Sequence, residues 1–278
     1  MSIERLLLGL ALSALIGGLG YWRQALTTSG VVGAILVGTL IFGLGGWVWG
    51  LLLITFFISS SWLSHYRRID KEGVTEKFAK GSRRDIGQVL ANGGLGAILA
   101  VVFVRYPEPL LLAAFVGVMA TVNADTWATE LGILSHVPPR MITTGDVVVP
   151  GTSGGVTRLG IWASVAGSLL IGTVATALVQ VASLLSNGGW SLRAISYALL
   201  AVVGGLAGSL FDSWLGATVQ GIYYCDYCGK ETQRETHRCG RTTRPLRGWG
   251  WLNNDVVNLL ASLLGGLVAV SLAWILWR

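Results

Sequence analysis

Two acidic triplets stand where an apolar chain should carry no charge: Asp125 in N-A-D-T-W-A-T-E-L-G (residues 123–132) and Asp212 in S-L-F-D-S-W-L-G (residues 209–216). An aspartate at bilayer depth costs roughly 2.5 to 3.5 kcal/mol even on the lenient insertion scale, so each needs compensation, and a bound cation supplies it. On a helix Asp125 shares a face with Ala128 and Gly132, and Asp212 shares one with Gly205, Gly208 and Gly216. Small-residue stripes of this kind let another backbone approach closely, which accounts for the glycines by packing but leaves the charge unexplained. Glu130 lies five residues after Asp125, about 140° round a helix, so either the helix ends near Thr129 or Glu130 serves another partner.

A third acidic position opens the last apolar segment, where Asn253, Asn254, Asp255 and Asn258 fall within six residues. One of these suffices to cap a helix, and four point to a site. Asp125, Asp212 and Asp255 are the expected Mg²⁺ ligands, because Mg²⁺ is held by few carboxylates with water and substrate phosphate completing its octahedron. Asn123, Glu130, Asn254 and Asn258 are carried beside them as candidate nucleotide- or phosphate-binding groups.

Complementary donors occur in two places. P-G-T-S-G-G-V-T-R (residues 150–158) leads into an apolar segment, and glycine-rich backbone at a helix start presents N–H groups to anions. Gly151, Gly154 and Gly155 allow close approach, while Thr152, Ser153, Thr157 and Arg158 add donors, although no G-K-[ST] follows as in a Walker A loop. R-R-D-I-G-Q-V-L-A-N-G-G (residues 83–94) supplies Arg83 and Arg84 as phosphate clamps, with Gln88 and Asn92 one helical turn apart on one face. Intramembrane Gln and Asn also serve as glue between helices. His65 and His136 have no sequence partner and receive no role.

All three cysteines fall in one stretch as C-x2-C-x8-H-x-C, from Cys225 and Cys228 to His237 and Cys239. This is a Cys₃His donor set for a structural Zn²⁺ in a reducing compartment, with a redox C-x-x-C as the alternative. Arg241, Arg244 and Arg247 follow and could reach phosphate.

The elements that must hold these groups are membrane helices. The 278 residues are 53% hydrophobic and 12% charged, with mean hydropathy +0.64 and 39 glycines, a composition outside the soluble range. Eight spans of near 20 residues are expected, at 4–22, 29–44, 46–64, 86–104, 109–131, 159–185, 192–219 and 254–277. Seven or nine are the alternatives, because Gly43, Gly45 and Gly46 make the only break between the second and third. Residues 6–19 lack the basic n-region and A-x-A site of a signal peptide and read as the first helix. The chain is one transmembrane domain, 1–278, with a basic loop at 65–85, the Gly-rich loop at 132–158 and the Cys/His loop at 220–253.

Sixteen of the twenty Lys and Arg residues fall on one face of this arrangement, which places the long loops and the site in the cytoplasm. Much of the +6 net charge is thereby a topology signal, and no nucleic-acid partner is expected. The spans ending in D-T-W and D-S-W also suggest a parallel duplication of a helical hairpin.

R-R-D-I-G-Q-V-L-A-N-G-G, N-A-D-T-W-A-T-E-L-G, G-T-S-G-G-V-T, G-S-L-F-D-S-W-L-G-A-T-V-Q and N-N-D-V-V-N, taken together and in order, resemble the integral membrane family of the plastid phytyl-phosphate kinases of tocopherol synthesis and the transmembrane protein 19 group. The resemblance implies phosphoryl transfer from a nucleoside triphosphate, CTP in the plastid enzymes, to an isoprenoid monophosphate such as phytyl phosphate. The spacing of Asp125, Ala128 and Gly132 also resembles that of membrane polyprenol kinases and CTP-dependent cytidylyltransferases. The expectation is a Mg²⁺-dependent kinase of isoprenyl monophosphates among membrane lipids, alone or as a homo-oligomer. A cytidylyltransferase or polyprenol kinase is its alternative among enzymes, and a cation or phosphate transporter its alternative outside them.

Overall fold

A computed structural model describes residues 3–67, 83–186 and 188–278. Among them eight helices are long and apolar enough to cross a membrane. They are α1 (Ile3–Trp22), α2 (Thr28–Leu40, continued by a π-helical turn at Ile41–Gly45), α3 (Trp47–His65), α4 (Ile86–Arg105), α5 (Pro109–Gly132), α6 (Arg158–Leu185), α7 (Leu192–Thr218) and α8 (Asn254–Leu276). Most of the basic loop expected at 65–85, with Arg68, Lys71, Lys77 and Lys80, lies outside the described residues, as does Asn187 in the expected turn between α6 and α7.

The boundaries follow local chemistry. α2 and α3 part at Gly46, whose φ of +88° no side-chain-bearing residue adopts readily. Asp85 and Gln88 close a capping box at the start of α4, Thr157 caps α6, and Asn253 caps α8 by accepting from Asp255 N and Val256 N. Pro109 stands in the first turn of α5, where its missing N–H costs nothing.

α5 is the central post, with every residue from Ala113 to Ala124 buried. α6, α7 and α8 pack round it, α3 lies along it, and α4 bridges to the outer pair α1 and α2. In lipid, burying Leu against Leu gains little, so helices are held by close van der Waals contact at small residues. Gly117 of α5, Gly204 of α7 and Gly265 of α8 meet backbone to backbone: a Cβ on Gly117 would fall 2.5 Å, and one on Gly204 2.7 Å, from the Gly265 carbonyl oxygen. Trp49 stacks on Phe115 at 4.4 Å in the remaining core.

Two small sheets decorate one end. β1 (Arg140–Met141) and β2 (Gly155–Val156) are antiparallel, with Arg140 opposite Val156, in the α5–α6 connection. β3 (Ile222–Cys225), β4 (Lys230–Thr232) and β5 (Arg244–Arg247) form an antiparallel sheet of order β4-β3-β5 between α7 and α8.

Candidate functional site

The triple glycine contact sets the level of the site. Neighbouring pairs Gly117–Gly204 and Thr121–Gly208 make α5 and α7 parallel, while Gly204–Gly265 and Gly208–Ala261 make α8 antiparallel to them. Asp125 and Asp212 each lie eight residues past the contact, and Asn258 lies seven residues from it on α8. At about 1.5 Å per residue all three stand roughly 10 to 12 Å from it along the bundle axis.

The side chains meet there. Asp125 and Asp212 are half-buried and close enough for one carboxylate to act on the other's charge. The Asn258 amide nitrogen donates to Asp212 Oδ2 at 2.9 Å and to the Asn254 carbonyl at 3.3 Å, and the same amide lies 3.4 Å from Asn92 Oδ1 of α4. Asp125 makes no hydrogen bond, and neither aspartate has a basic partner among the described residues. Two adjoining carboxylates without a protein cation, flanked by neutral amides, form an oxygen donor set that fits a hard divalent cation.

The face carrying Asp212 is a stripe of close approaches, as the spacing of its glycines requires. Gly205 abuts Ser168 and the Ala120 backbone, Gly208 abuts Thr121, and Gly216 abuts the Gly154 nitrogen, where its Cβ would lie 3.1 Å away. Packing therefore explains the glycines, and Asp212, one turn from two of them, turns its carboxylate to Asn258.

Asp255 stands about 4.5 Å nearer the α8 start than Asn258, half-buried in its first turn. Among the described residues the one group of three or more His, Cys, Asp or Glu with ligand atoms within 4.8 Å is the Cys/His set, so the three aspartates do not close into a preformed cage. Asn253 takes the capping duty, and Asn258 turns its amide to Asp212.

Several other candidates are engaged elsewhere. Asn123 is fully buried and ties three helices, accepting from Ser59 Oγ at 2.8 Å and donating to the Gly167 carbonyl at 2.8 Å. α5 continues past Thr129 to Gly132, so Glu130 serves another partner: Ser64 Oγ donates to it at 2.6 Å, and the Arg84 guanidinium feels its charge. Burial holds the Arg84 pKa down to about 10 against the pull of Glu130, and the group donates to Ser61 Oγ at 3.1 Å. Arg83 donates twice to the Leu26 carbonyl, at 3.2 and 3.0 Å, and lies over Tyr21. Gln88 is the second half of the Asp85 capping box.

The α3 serines are the partners that sequence reading passed over. S-S-S-W-L-S at 59–64 inside an apolar span is their one visible signal.

The Gly-rich loop lies over the end of α7, on the side of the Asp212 stripe. Gly154, at φ +85°, packs against the Ala217 backbone, which lies 2.6 Å from where a Cβ would stand. Thr157 is spent on its cap to Gly160 N, Gly155 pairs in β2, and Ser153 Oγ accepts from Gln233. Arg247 holds the loop by donating to Ser153 O and Ala217 O, both at 3.0 Å; Arg244 pairs with Asp226, and Arg241 lies over Tyr227. Gly151 and Thr152 are half-buried, and Arg158 is exposed at the α6 start.

The four Cys/His ligands sit in two facing turns. Gly229 N bonds Cys225 O, and Gly240 N bonds His237 O, each at 2.9 Å and each with its glycine at positive φ. Cys225 and Cys239 sulfurs are 3.7 Å apart, and His237 Nδ1 is 3.2 Å from Cys239 Sγ. Hydrogen bonding from His237 brings the Cys239 pKa down to about 6, and bonding to Cys239 pushes Cys228 up to about 11. One thiolate is thus ready at neutral pH in a cluster that could bind a metal.

The two D-[ST]-W triplets correspond in their aspartates but not in their tryptophans. Trp127 packs on Gly167, whereas Trp214 is exposed and stacks on Phe211 at 5.7 Å.

Known proteins resemble this chain in sequence over most of its length. The family described as Integral membrane protein DUF92 matches residues 11–266. Protein PGR of Arabidopsis thaliana is 34% identical over 275 residues, 94% of this chain and 93% of that protein. An uncharacterized membrane protein of Methanocaldococcus jannaschii is 30% identical over 247 residues, 89% of this chain and 85% of its own. Protein VTE6, chloroplastic, of Arabidopsis thaliana is 26% identical over 252 residues, 88% of this chain and 64% of that protein. No solved structure matches the chain.

Proposed function

We propose that this chain, which belongs to the Integral membrane protein DUF92 family, transfers the γ-phosphoryl group of a nucleoside triphosphate, CTP in preference, to an isoprenyl monophosphate such as phytyl phosphate. The observation that carries the reading is the carboxylate pair Asp125 and Asp212, without a basic partner among the described residues, meeting the amides of Asn258 and Asn92 at one level of four helices. The likeness to Protein VTE6, chloroplastic, and the motif resemblance to the phytyl-phosphate kinases support the choice of substrate.

The chemistry asks little of the chain beyond placement and charge. An oxygen of the lipid monophosphate bonds to the γ-phosphorus as its bond to the β-phosphate oxygen breaks, giving lipid diphosphate and nucleoside diphosphate. The attacking oxygen is already anionic, so no general base is needed. Asp125 and Asp212 would hold Mg²⁺, with Asp255 reaching it through water, and the ion would supply charge neutralisation of the transferring group. Asn258 orients Asp212, Asn92 and Asn254 offer amides, and Gly151, Thr152 and Arg158 line the approach beside the α6 start for nucleotide phosphates. The remaining N–H groups of Arg83 face the lipid phosphate.

Cys225, Cys228, His237 and Cys239 would hold a structural Zn²⁺ that fixes the β3–β5 sheet, and through Arg247 that sheet keeps the Gly-rich loop on α7. The basic loops favour the cytoplasm for this end by the positive-inside rule. A transporter would carry its site near the midplane, yet Asp125 and Asp212 stand seven and six residues from the ends of α5 and α7.

The test is acceptor choice: purified protein with labelled CTP or ATP and, in turn, phytol, phytyl monophosphate and phosphatidic acid. Turnover of the monophosphate alone is expected; turnover of the alcohol or of phosphatidic acid instead would assign the chain to the polyprenol kinases or the cytidylyltransferases.

A further inference from the structure

A cavity of about 770 Å³, part of it open to the outside, lies between α1, α2, α3 and α4. Its walls are apolar side chains, Leu12, Ile16, Ala34, Val37, Leu53 and Ile54 among them, while its polar lining is Ser13 with Arg84, Gln88 and Asn92. Those last three fall on the first turns of α4 and the residues before it, so charge and amides gather at one end of a hydrocarbon chamber. Asn92 also lies against Asn258, whose amide binds Asp212. Side chains in contact, Asn92, Asn258 and Asp212, thus link the chamber's polar lining to the carboxylate pair.

The far end is built by an irregular backbone. The π-helical turn Ile41–Gly45 carries Phe42, and Gly50 of α3 has no side chain because its Cβ would strike the Phe42 ring. π-Turns inside helices recur at functional positions. From Ala34 to Phe42 the chamber spans eight residues of α2, about 12 Å. Apolar cavities accept apolar guests.

We propose that this chamber holds the hydrocarbon tail of the lipid phosphate, with Arg84, Gln88 and Asn92 at the neck and Leu12 and Phe42 toward the far end setting the longest chain accepted. The assignment rests on the kinase reading for its headgroup, but its own claim is where the tail lies. Leu12 is half-buried on the wall, at the level of Thr39 and so beyond the neck, and Leu12→Trp would narrow the far part of the chamber while leaving the carboxylate pair untouched.

Two experiments on the full-length protein in lipid nanodiscs test it. In the first, geranyl and geranylgeranyl monophosphate are compared as acceptors for wild type and Leu12→Trp. The longer chain is expected to lose about tenfold or more in kcat/KM and the shorter about twofold at most, as pocket occupancy by a few methylenes dictates. In the second, geranylgeranyl monophosphate bearing a terminal diazirine is photolysed on wild type, and labelled residues are mapped by mass spectrometry. Label on Leu12, Phe42, Leu53 or Ile54 is expected, and this arm decides if Leu12→Trp fails to fold. Label confined to α5–α8, or equal loss for both chain lengths, overturns the tail site. Label in the chamber without any diphosphate formed keeps the tail site and overturns the kinase reading, and diphosphate formed with label elsewhere does the reverse.

Discussion

Asp212→Asn separates a metal-binding aspartate from a packing one. The two side chains are nearly isosteric, and the Asn258 amide that donates to Asp212 Oδ2 at 2.9 Å would find a carbonyl oxygen in the same place. The glycine stripe on either side, where Gly208 meets Thr121 and Gly216 meets Gly154, touches only backbone and small groups and should not respond. Stability should hold or rise, because a neutral amide costs less in the membrane than a carboxylate and repulsion from Asp125 is removed. Activity should fall on the order of 10²-fold or more, about 2.7 kcal/mol or more of transition-state stabilisation, the scale of losing one charge-stabilising group. The assay is turnover with labelled CTP at saturating and limiting Mg²⁺, run beside a thermal melt with and without Mg²⁺ and nucleotide. An unchanged Tm, reduced activity and reduced stabilisation by Mg²⁺-nucleotide are expected. Asp125→Asn should behave alike, with the double variant less than additive if both hold one ion. Near-wild-type turnover at limiting Mg²⁺ would refute the reasoning and leave the aspartates as architecture.

Other consequences follow from the same geometry. Elemental analysis should find about one zinc per chain, lost with a lower Tm in Cys225→Ser or after chelation, and zinc-free wild type of full stability would remove the metal from the account. Gly204→Val should lower stability by about 1 to 3 kcal/mol or abolish folding, because its Cβ position lies 2.7 Å from the Gly265 carbonyl oxygen; an unchanged melt would mean that the α5, α7 and α8 backbones are not in contact. Arg83→Ala should raise the KM for lipid phosphate with kcat kept, whereas an unchanged KM with reduced Tm would confine Arg83 to its bonds with Leu26. Asn123→Ala should destabilise by about 1 to 3 kcal/mol, since it removes two buried hydrogen bonds that tie three helices, to Ser59 and to the Gly167 carbonyl, and a raised KM without loss of Tm would return Asn123 to the phosphate site.

The helices were legible because lipid makes a one-dimensional demand: apolar runs of the right length, broken by Gly46, Pro109 and the polar loops, give the eight elements to within two residues at each end. The stripe of Gly205, Gly208, Asp212 and Gly216 was legible for the same reason, as helical periodicity fixes which residues share a face. Partners across helices were not. Asn123 has the same identity whether its amide meets an ion or, as here, Ser59 and the Gly167 carbonyl. Glu130 could be denied a place beside Asp125 by angle alone, but its pairing with Ser64 and Arg84 depends on how α3 and the α4 start lie against α5. The cluster at the start of α8 divides by one turn of helix: Asn253 caps, Asn258 reaches Asp212, and Asp255 stands apart from the pair. Arg247 looked like a phosphate ligand from its charge, and its two bonds to Ser153 and Ala217 carbonyls make it the strut of the Gly-rich loop.

The position of the label in the lipid product tests phosphoryl transfer most directly. Purified protein in nanodiscs is supplied with phytyl monophosphate, Mg²⁺ and CTP labelled at the γ- or the α-phosphorus in parallel. The account predicts γ-label in a lipid diphosphate, with CDP released and no α-label in lipid. Alpha-label in the lipid would mean nucleotidyl transfer, and an unlabelled lipid in both arms, with the phytyl monophosphate intact, would contradict the kinase reading outright.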